Sequence, residues 1–245
     1  RVIQLNGASD RSSNSVFGET WSERLIQSFH ENEEMINISR SKEFAVDRFN
    51  RHESWLDRKF QAVAQFMKAR EARNVDRDVF VLGDGGYDMH HGNHLERKLV
   101  DIDRTLRGFK REMEAQGLWE SVVIVTGSDF GRTLVPNANY GTDHAWAGNY
   151  IMLGGGLNGG KILGKYPDDL TETSLYRLGK RGRMIPTTSW NSMWNGVAQW
   201  MGVSEEEELD EILPNRKNFH SCDLYTDQDL FKDGDVPSYC QVGST

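Results

Sequence analysis

A chain of 245 residues can bury one sizeable core, and one domain is favoured over two. Its 37% hydrophobic and 27% charged residues exclude a disordered composition, and apolar runs such as Val122 to Val125 fall far short of the roughly 20 residues a spanning helix needs. A formal charge of -8 and a pI near 5.4 exclude the basic footprint of a general nucleic-acid binder, leaving small molecules or other proteins as partners.

Residues 1–20 are turn-rich, with a weak strand signal at Val2 to Leu5 and no signal-peptide pattern. A start at Arg1 rather than Met reads as a cleavage product or a portion of something longer. Trp21 to Phe29 has the length of a short helix. Asn37-Ile38-Ser39 is a glycosylation acceptor triplet, meaningful only in a secreted eukaryotic protein. From Phe44 to Arg73, apolar residues including Phe49, Leu56, Phe60, Val63, Ala64 and Met67 recur mostly at intervals of three, four or seven, which predicts one long amphipathic helix packing on a core.

Val79 to Leu82 reads as a short buried strand, ended by Gly83, Gly85 and Gly86. The loop that follows, to His94, holds three of the chain's seven histidines beside Asp84 and Asp88. Asp88 and His90 stand two apart and point the same way in an extended loop. One carboxylate oxygen with one imidazole nitrogen suits zinc, manganese or iron better than a purely oxygen-bound magnesium. The bland alternative is a histidine-rich surface loop. His91 and His94 are neighbours of the expected ligands, not members of the set.

Leu95 to Gln116 carries Leu95, Leu99, Ile102, Leu106, Phe109 and Met113 at helical spacing, with Gly117 as the C′ residue. Ser121 to Thr126 is a second β-branched run. Strand, loop, helix, strand predicts a βαβ unit in a parallel sheet, whose loops open on one edge. The second loop, Thr126 to Thr133, brings Asp129 and Arg132. Asp129 is a ligand at that edge or a turn cap; Arg132 holds an oxyanion with its fork or is a surface cation. The third loop, residues 137–148, carries His144 ahead of a strand at Tyr150 to Leu153. Gly154-Gly155-Gly156 lacks the context of a dinucleotide or Walker site and reads as a tight turn.

Trp190, Trp194, Val197 and Met201 predict the inner stripe of a helix ending near Gly202, and Glu205 to Glu208 a solvated face. Residues 216–245 have little periodicity. Cys222 and Cys240, the only cysteines, would staple this tail if bridged. His30, His52 and His220 stand apart from any ligand-like cluster.

Gly86-Tyr87-Asp88-Met89-His90, Ser128-Asp129-Phe130-Gly131-Arg132-Thr133 and Gly141-Thr142-Asp143-His144 resemble the Gly-Phe-Asp-Thr-His, Ser-Glu-Phe-Gly-Arg-Thr and Gly-Thr-Asp-His signatures of the domain of unknown function fifteen-oh-one. The likeness covers about residues 76 to 220. That family is counted among sulfatase-like relatives of the alkaline phosphatases. The resemblance implies a doubly wound α/β fold, a mostly parallel sheet with helices on both faces, incomplete on its N-terminal side. It also implies a divalent metal, zinc or manganese, held by Asp88, His90, Asp129 and His144, with Arg132 as a catalytic group on the transferring sulfate or phosphate. Asp129 stands where the family has Glu, and Met89 where it has Thr. An upstream Asp and Ser or Thr nucleophile cannot be placed; Ser128 and Thr133 read as loop residues.

The organisation expected is a single α/β domain or the C-terminal part of one, with a lead-in over 1–75, a motif-bearing core over 76–203 and an irregular tail over 204–245. The expected activity is metal-dependent hydrolysis of sulfate or phosphate esters, the partner a small-molecule ester or a missing N-terminal half, and the location extracellular or periplasmic. The rival is a non-catalytic extracellular subunit that keeps the fold.

Overall fold

The structure, a computed structural model, describes residues 16–40, 44–46, 49, 54–92 and 94–240 of the chain. The chain divides into two units, Arg1–Leu82 with Ile102–Gln116, and Gly83–Asp101 with Gly117–Thr245. The strand signal at Val2 to Leu5 lies outside the described residues.

In the first unit, helix α1 spans Val16–Arg40, far longer than the segment around Trp21 to Phe29 suggested. Helix α2 spans only Trp55–Lys68, a contraction of the helix expected over Phe44 to Arg73. Its start is chemical. Ser54 accepts from the Asp57 amide while Asp57 accepts from the Ser54 amide, a capping box that ends the helix on its N-terminal side. Phe60, Val63 and Ala64 face inward at i, i+3 and i+4. Of the residues between, 47, 48 and 50–53 lie outside the description. Helix α3, Leu95–Ala115, matches its expected span, and Gly117 follows it at φ 70°. From Ile102 onward α3 belongs to this unit, where Phe109 meets Phe60 edge-on at 5.0 Å.

Its inner face keeps the C-terminal half of the stripe the apolar spacing marks and adds polar residues to it. Thr105, Phe109, Glu112 and Met113 are buried, while Leu95 and Leu99 are exposed. The polar members are satisfied: Thr105 donates to Asp57 Oδ1 at 2.5 Å, and Glu112 accepts from the amides of Ala45 and Val46, each at 2.8 Å.

The doubly wound parallel sheet is overturned. Among the described residues 42% are helical and 8% lie in strands, paired antiparallel only. Val79 to Leu82, expected to be a buried strand, is extended but unpaired among the described residues, with Val79 79% and Val81 92% exposed. In the second unit β1 (Val123–Val125) pairs antiparallel with β4 (Met152–Gly154), so the expected βαβ unit does not form. A β-branched run specifies extended backbone; which neighbour it takes depends on long-range packing that the run does not encode. Here the register Val123↔Gly154 is served by a bare backbone, since a Cβ on Gly154 would lie 2.2 Å from the Val122 carbonyl oxygen.

Short ladders β2 (Gly131–Arg132) with β3 (His144–Ala145), and β5 (Arg177–Leu178) with β6 (Arg183–Met184), complete the strands. Helix α4 (Trp190–Trp200) ends before Gly202 as expected, but its buried face is Ser192, Asn195, Gly196, Val197 and Gln199, with Trp190 and Trp194 partly exposed. Gly196 explains the inversion: a Cβ there would sit 2.6 Å from the Thr226 carbonyl, so the helix approaches the segment leading into α6 (Asp227–Leu230) backbone to backbone. Leu157, Val197, Leu230 and Phe231 form the core of this unit, with Trp200 stacked on Phe231 at 4.8 Å.

The charge run Glu205 to Glu208 is exposed as expected and opens α5 (Glu206–Ile212). Buried Arg216 pairs with Glu206 at 2.6 Å and Asp210 at 2.9 Å and donates to Asn195 Oδ1 at 2.7 Å. The tail is therefore held by polar pairing at Arg216 as well as by Leu230 and Phe231 in the core. Cys222 and Cys240 are bridged, with Cα atoms 5.1 Å apart. Closing a loop of this length constrains the unfolded chain by about 3 kcal/mol. Reduction, or the Cys222→Ser and Cys240→Ser pair, is expected to lower stability by that order in urea titrations; an unchanged midpoint would assign the bridge no stabilising role.

Candidate metal centre

Three loops of the second unit meet at one point. Asp88 Oδ1 lies 2.9 Å from His90 Nε2 and 2.9 Å from His144 Nε2, and the two imidazole nitrogens are 3.1 Å apart. The three side chains are about half exposed, at 54%, 42% and 49%. One carboxylate oxygen and two imidazole nitrogens in so small a triangle could hold a cation.

Local sequence builds this convergence. Arg132 and His144 face one another across the β2–β3 ladder, and Gly131 opposite Ala145 lets the strands close, because a Cβ there would fall 1.8 Å from the Ala147 carbonyl oxygen. Gly141 performs the same service for the first loop. A Cβ on it would lie 2.4 Å from the His90 carbonyl carbon, so only glycine lets the segment before His144 run beside His90. Thr142 then donates its amide to the Met89 carbonyl at 2.9 Å, and Asn137 Nδ2 donates to the His90 carbonyl at 3.1 Å.

Arg132, expected to hold an oxyanion, has its three guanidinium nitrogens engaged within the protein. Nη1 donates to Asp88 Oδ1 at 2.7 Å, Nε to Thr142 Oγ1 at 2.9 Å, and Nη2 to the Thr142 carbonyl. Asp129 is exposed and stands outside the group of converging ligands formed by Asp88, His90 and His144. Its neighbour Phe130 reaches the site, as Arg132 does, stacked on the His144 ring with centroids 3.8 Å apart. Ser128 donates to the Phe130 carbonyl and Thr133 to the Val135 carbonyl, and the Thr133 hydroxyl also accepts from the Asp143 amide.

Asp143 emerges as a further member. Its Oδ1 lies 3.5 Å from His90 Nδ1 and accepts from Asn137 Nδ2 at 3.0 Å, while its Oδ2 pairs with Arg181. The signal was present in the Gly141–His144 motif, an acid beside a ligand histidine. Phe130 and Asn137 carried no such signal, since an aromatic ring and an amide in a loop are compatible with many roles.

The hydrogen bond with Asn137, followed by those with Arg181 and His90, holds the Asp143 carboxyl down at about 2. Asp88 is also held below the usual carboxylate range, first by its hydrogen bond with His144 and then by Arg132. For a depressed carboxyl the stabilising contribution is complete above the unfolded value of 3.8 and is lost as pH falls through the folded one. Chelator-treated protein is therefore expected to lose stability as pH drops from about 4 to about 2, and Asp143→Asn to flatten that fall. Parallel pH profiles for both proteins would refute the linkage.

The molecule is thus a helix-rich chain with a surface triad of two histidines and one carboxylate. It belongs to the family described as Protein of unknown function (DUF1501), whose model matches residues 18–177. No curated protein matches the chain, and no solved structure matches it.

Proposed function

We propose that this chain is a divalent-metal hydrolase of sulfate or phosphate esters, the chemistry of the sulfatase-like proteins its motifs resemble. One observation carries the reading: Asp88 Oδ1, His90 Nε2 and His144 Nε2, from loops more than forty residues apart, converge with mutual separations of 2.9–3.1 Å. The proposal rests on this site and not on the sheet architecture, which differs from that of a doubly wound fold.

The donor chemistry fits zinc or manganese. Asp88, His90 and His144 would hold such an ion, whichever of the two it is. When bound, such a cation lowers the pKa of water and polarises an ester oxygen.

The chain's own groups do the rest. Arg132 holds Asp88 in place and offsets its charge, acting as a positioning residue. Arg183, exposed and anchored through Nε to the His144 carbonyl at 3.2 Å, supplies positive charge beside the site for an anionic ester. In this mechanism water is the nucleophile, the Ser128 and Thr133 hydroxyls being bonded to the Phe130 and Val135 carbonyls. Its oxygen bonds to sulfur or phosphorus, the ester oxygen leaves, and a proton passes to the departing alcohol. The Cys222–Cys240 bridge supports an oxidising compartment, extracellular or periplasmic. No described helix is long and apolar enough to cross a membrane.

The test is metal analysis of the purified natural protein, with manganese, zinc and iron(II) titrations and a panel of sulfate and phosphate esters. Stoichiometric metal with turnover supports the reading. Absence of metal binding overturns it, and metal without turnover on any ester reduces it to a binding site.

A further inference from the structure

His90 presents both ring nitrogens to carboxylates. Nε2 faces the donor set, 2.9 Å from Asp88 Oδ1, while Nδ1 lies 3.5 Å from Asp143 Oδ1. The two carboxylates are not equivalent. Asp88 contributes its oxygen to the triangle itself, and Asp143 stands on the far side of the imidazole ring.

Asp143 is fixed more firmly than an ion pair alone requires. Its Oδ1 accepts from Asn137 Nδ2 at 3.0 Å, its Oδ2 pairs with Arg181, and its backbone exchanges hydrogen bonds with Thr133, whose amide donates to the Asp143 carbonyl at 3.0 Å and whose Oγ1 accepts from the Asp143 amide at 3.0 Å. Asn137 also donates to the His90 carbonyl, so one amide group spaces the carboxylate from the histidine it serves. An arginine-paired carboxylate can only accept. His90 Nδ1, 3.5 Å away, is the ring nitrogen whose proton this acceptor would favour.

We propose that Asp143 is a positioning residue of the metal site: its carboxylate accepts the Nδ1 proton of His90 and so selects the tautomer whose Nε2 lone pair faces the cation. In a neutral imidazole one nitrogen donates and the other accepts, so fixing the proton on Nδ1 leaves Nε2 as the ligand atom. The carboxylate also raises the basicity of the ring it holds. His144 is oriented by different means, its ring stacked on Phe130. The site therefore joins one histidine set by charge to one set by stacking.

This inference rests on the metal reading above, and one experiment separates the two. Zinc affinity is measured for the full chain, for Asp143→Asn and for Arg181→Ala, and the zinc-loaded wild type is examined by nitrogen-15 NMR for the protonated nitrogen of His90. The expected result is a proton on Nδ1, a loss of about 10- to 100-fold in affinity for Asp143→Asn, and a smaller loss for Arg181→Ala, which keeps the carboxylate. Zinc binding by wild type with affinity within about threefold in Asp143→Asn overturns the inference and leaves the metal site standing. So does a proton on Nε2 in wild type, a result that needs no folded variant. Equal losses in the two variants make Asp143 a brace for Arg181 and also overturn it. Failure of wild type to bind zinc or manganese removes the metal reading itself.

Discussion

His144→Ala is expected to abolish ester hydrolysis and to weaken manganese and zinc binding by more than about 100-fold, the upper cost of losing a group that merely supports a ligand. The substitution deletes one corner of the triangle and leaves Asp88 and His90, two donors where a catalytic site uses three. Asp88 does not become a better ligand in compensation, because Arg132 still donates to its Oδ1 at 2.7 Å. The fold should scarcely register the change. The His144 side chain is half exposed and its ring meets Phe130 on the surface, so the stability change should stay within about 0.5 kcal/mol. That separation makes the variant diagnostic: calorimetric titration should collapse while the urea midpoint holds. Asp129→Ala, outside the triangle, should leave affinity unchanged. Wild-type affinity in His144→Ala would sink the assignment of this triangle as the metal centre.

The site and the fold were legible in the sequence to different degrees. Asp88, His90 and His144 were readable because their loops carry their own instructions. Gly141 allows the close passage by His90, and Gly131 allows the ladder that sets Arg132 across from His144. These constraints are local and survive without knowledge of the sheet. Asp129 was readable as an acid near a strand end but not as exposed, because the turn after β1 directs Phe130 to the site in its place. Strand pairing was unreadable for a different reason. Val79 to Leu82 and Val123 to Val125 are alike in composition, yet among the described residues one has no strand partner and the other pairs antiparallel with Met152–Gly154. Residue type sets the extended backbone; the partner is chosen by packing at long range.

Glu112→Ala is expected to destabilise the first unit by about 3 kcal/mol, because two backbone donors lose a carboxylate acceptor at once and unsatisfied donors cost about 1–3 kcal/mol each. Oε1 accepts from Ala45 and Oε2 from Val46, and Gln116 Nε2 adds a third donor to Oε1 at 2.7 Å. Each oxygen is thus committed. Glu112→Gln tests the same bookkeeping more finely: an amide keeps one acceptor and turns an N–H toward the second backbone donor, so a loss of about 1–2 kcal/mol is expected at nearly unchanged volume. Urea titrations with equal slopes for the three proteins would measure both values. A loss below about 1 kcal/mol for the alanine variant would mean that water reaches the two amides and that the carboxylate is replaceable. The same residue shows what the apolar stripe on α3 leaves out, since Phe109 and Met113 are buried as expected but Glu112 and Thr105 join them. A hydrophobicity pattern assigns Glu112 and Thr105 to the outer face, but each has a matched donor or acceptor from a segment distant in sequence, Thr105 from Asp57 and Glu112 from residues 45 and 46. Burial of a polar side chain follows from its partner, and the partner lies beyond the reach of helical periodicity.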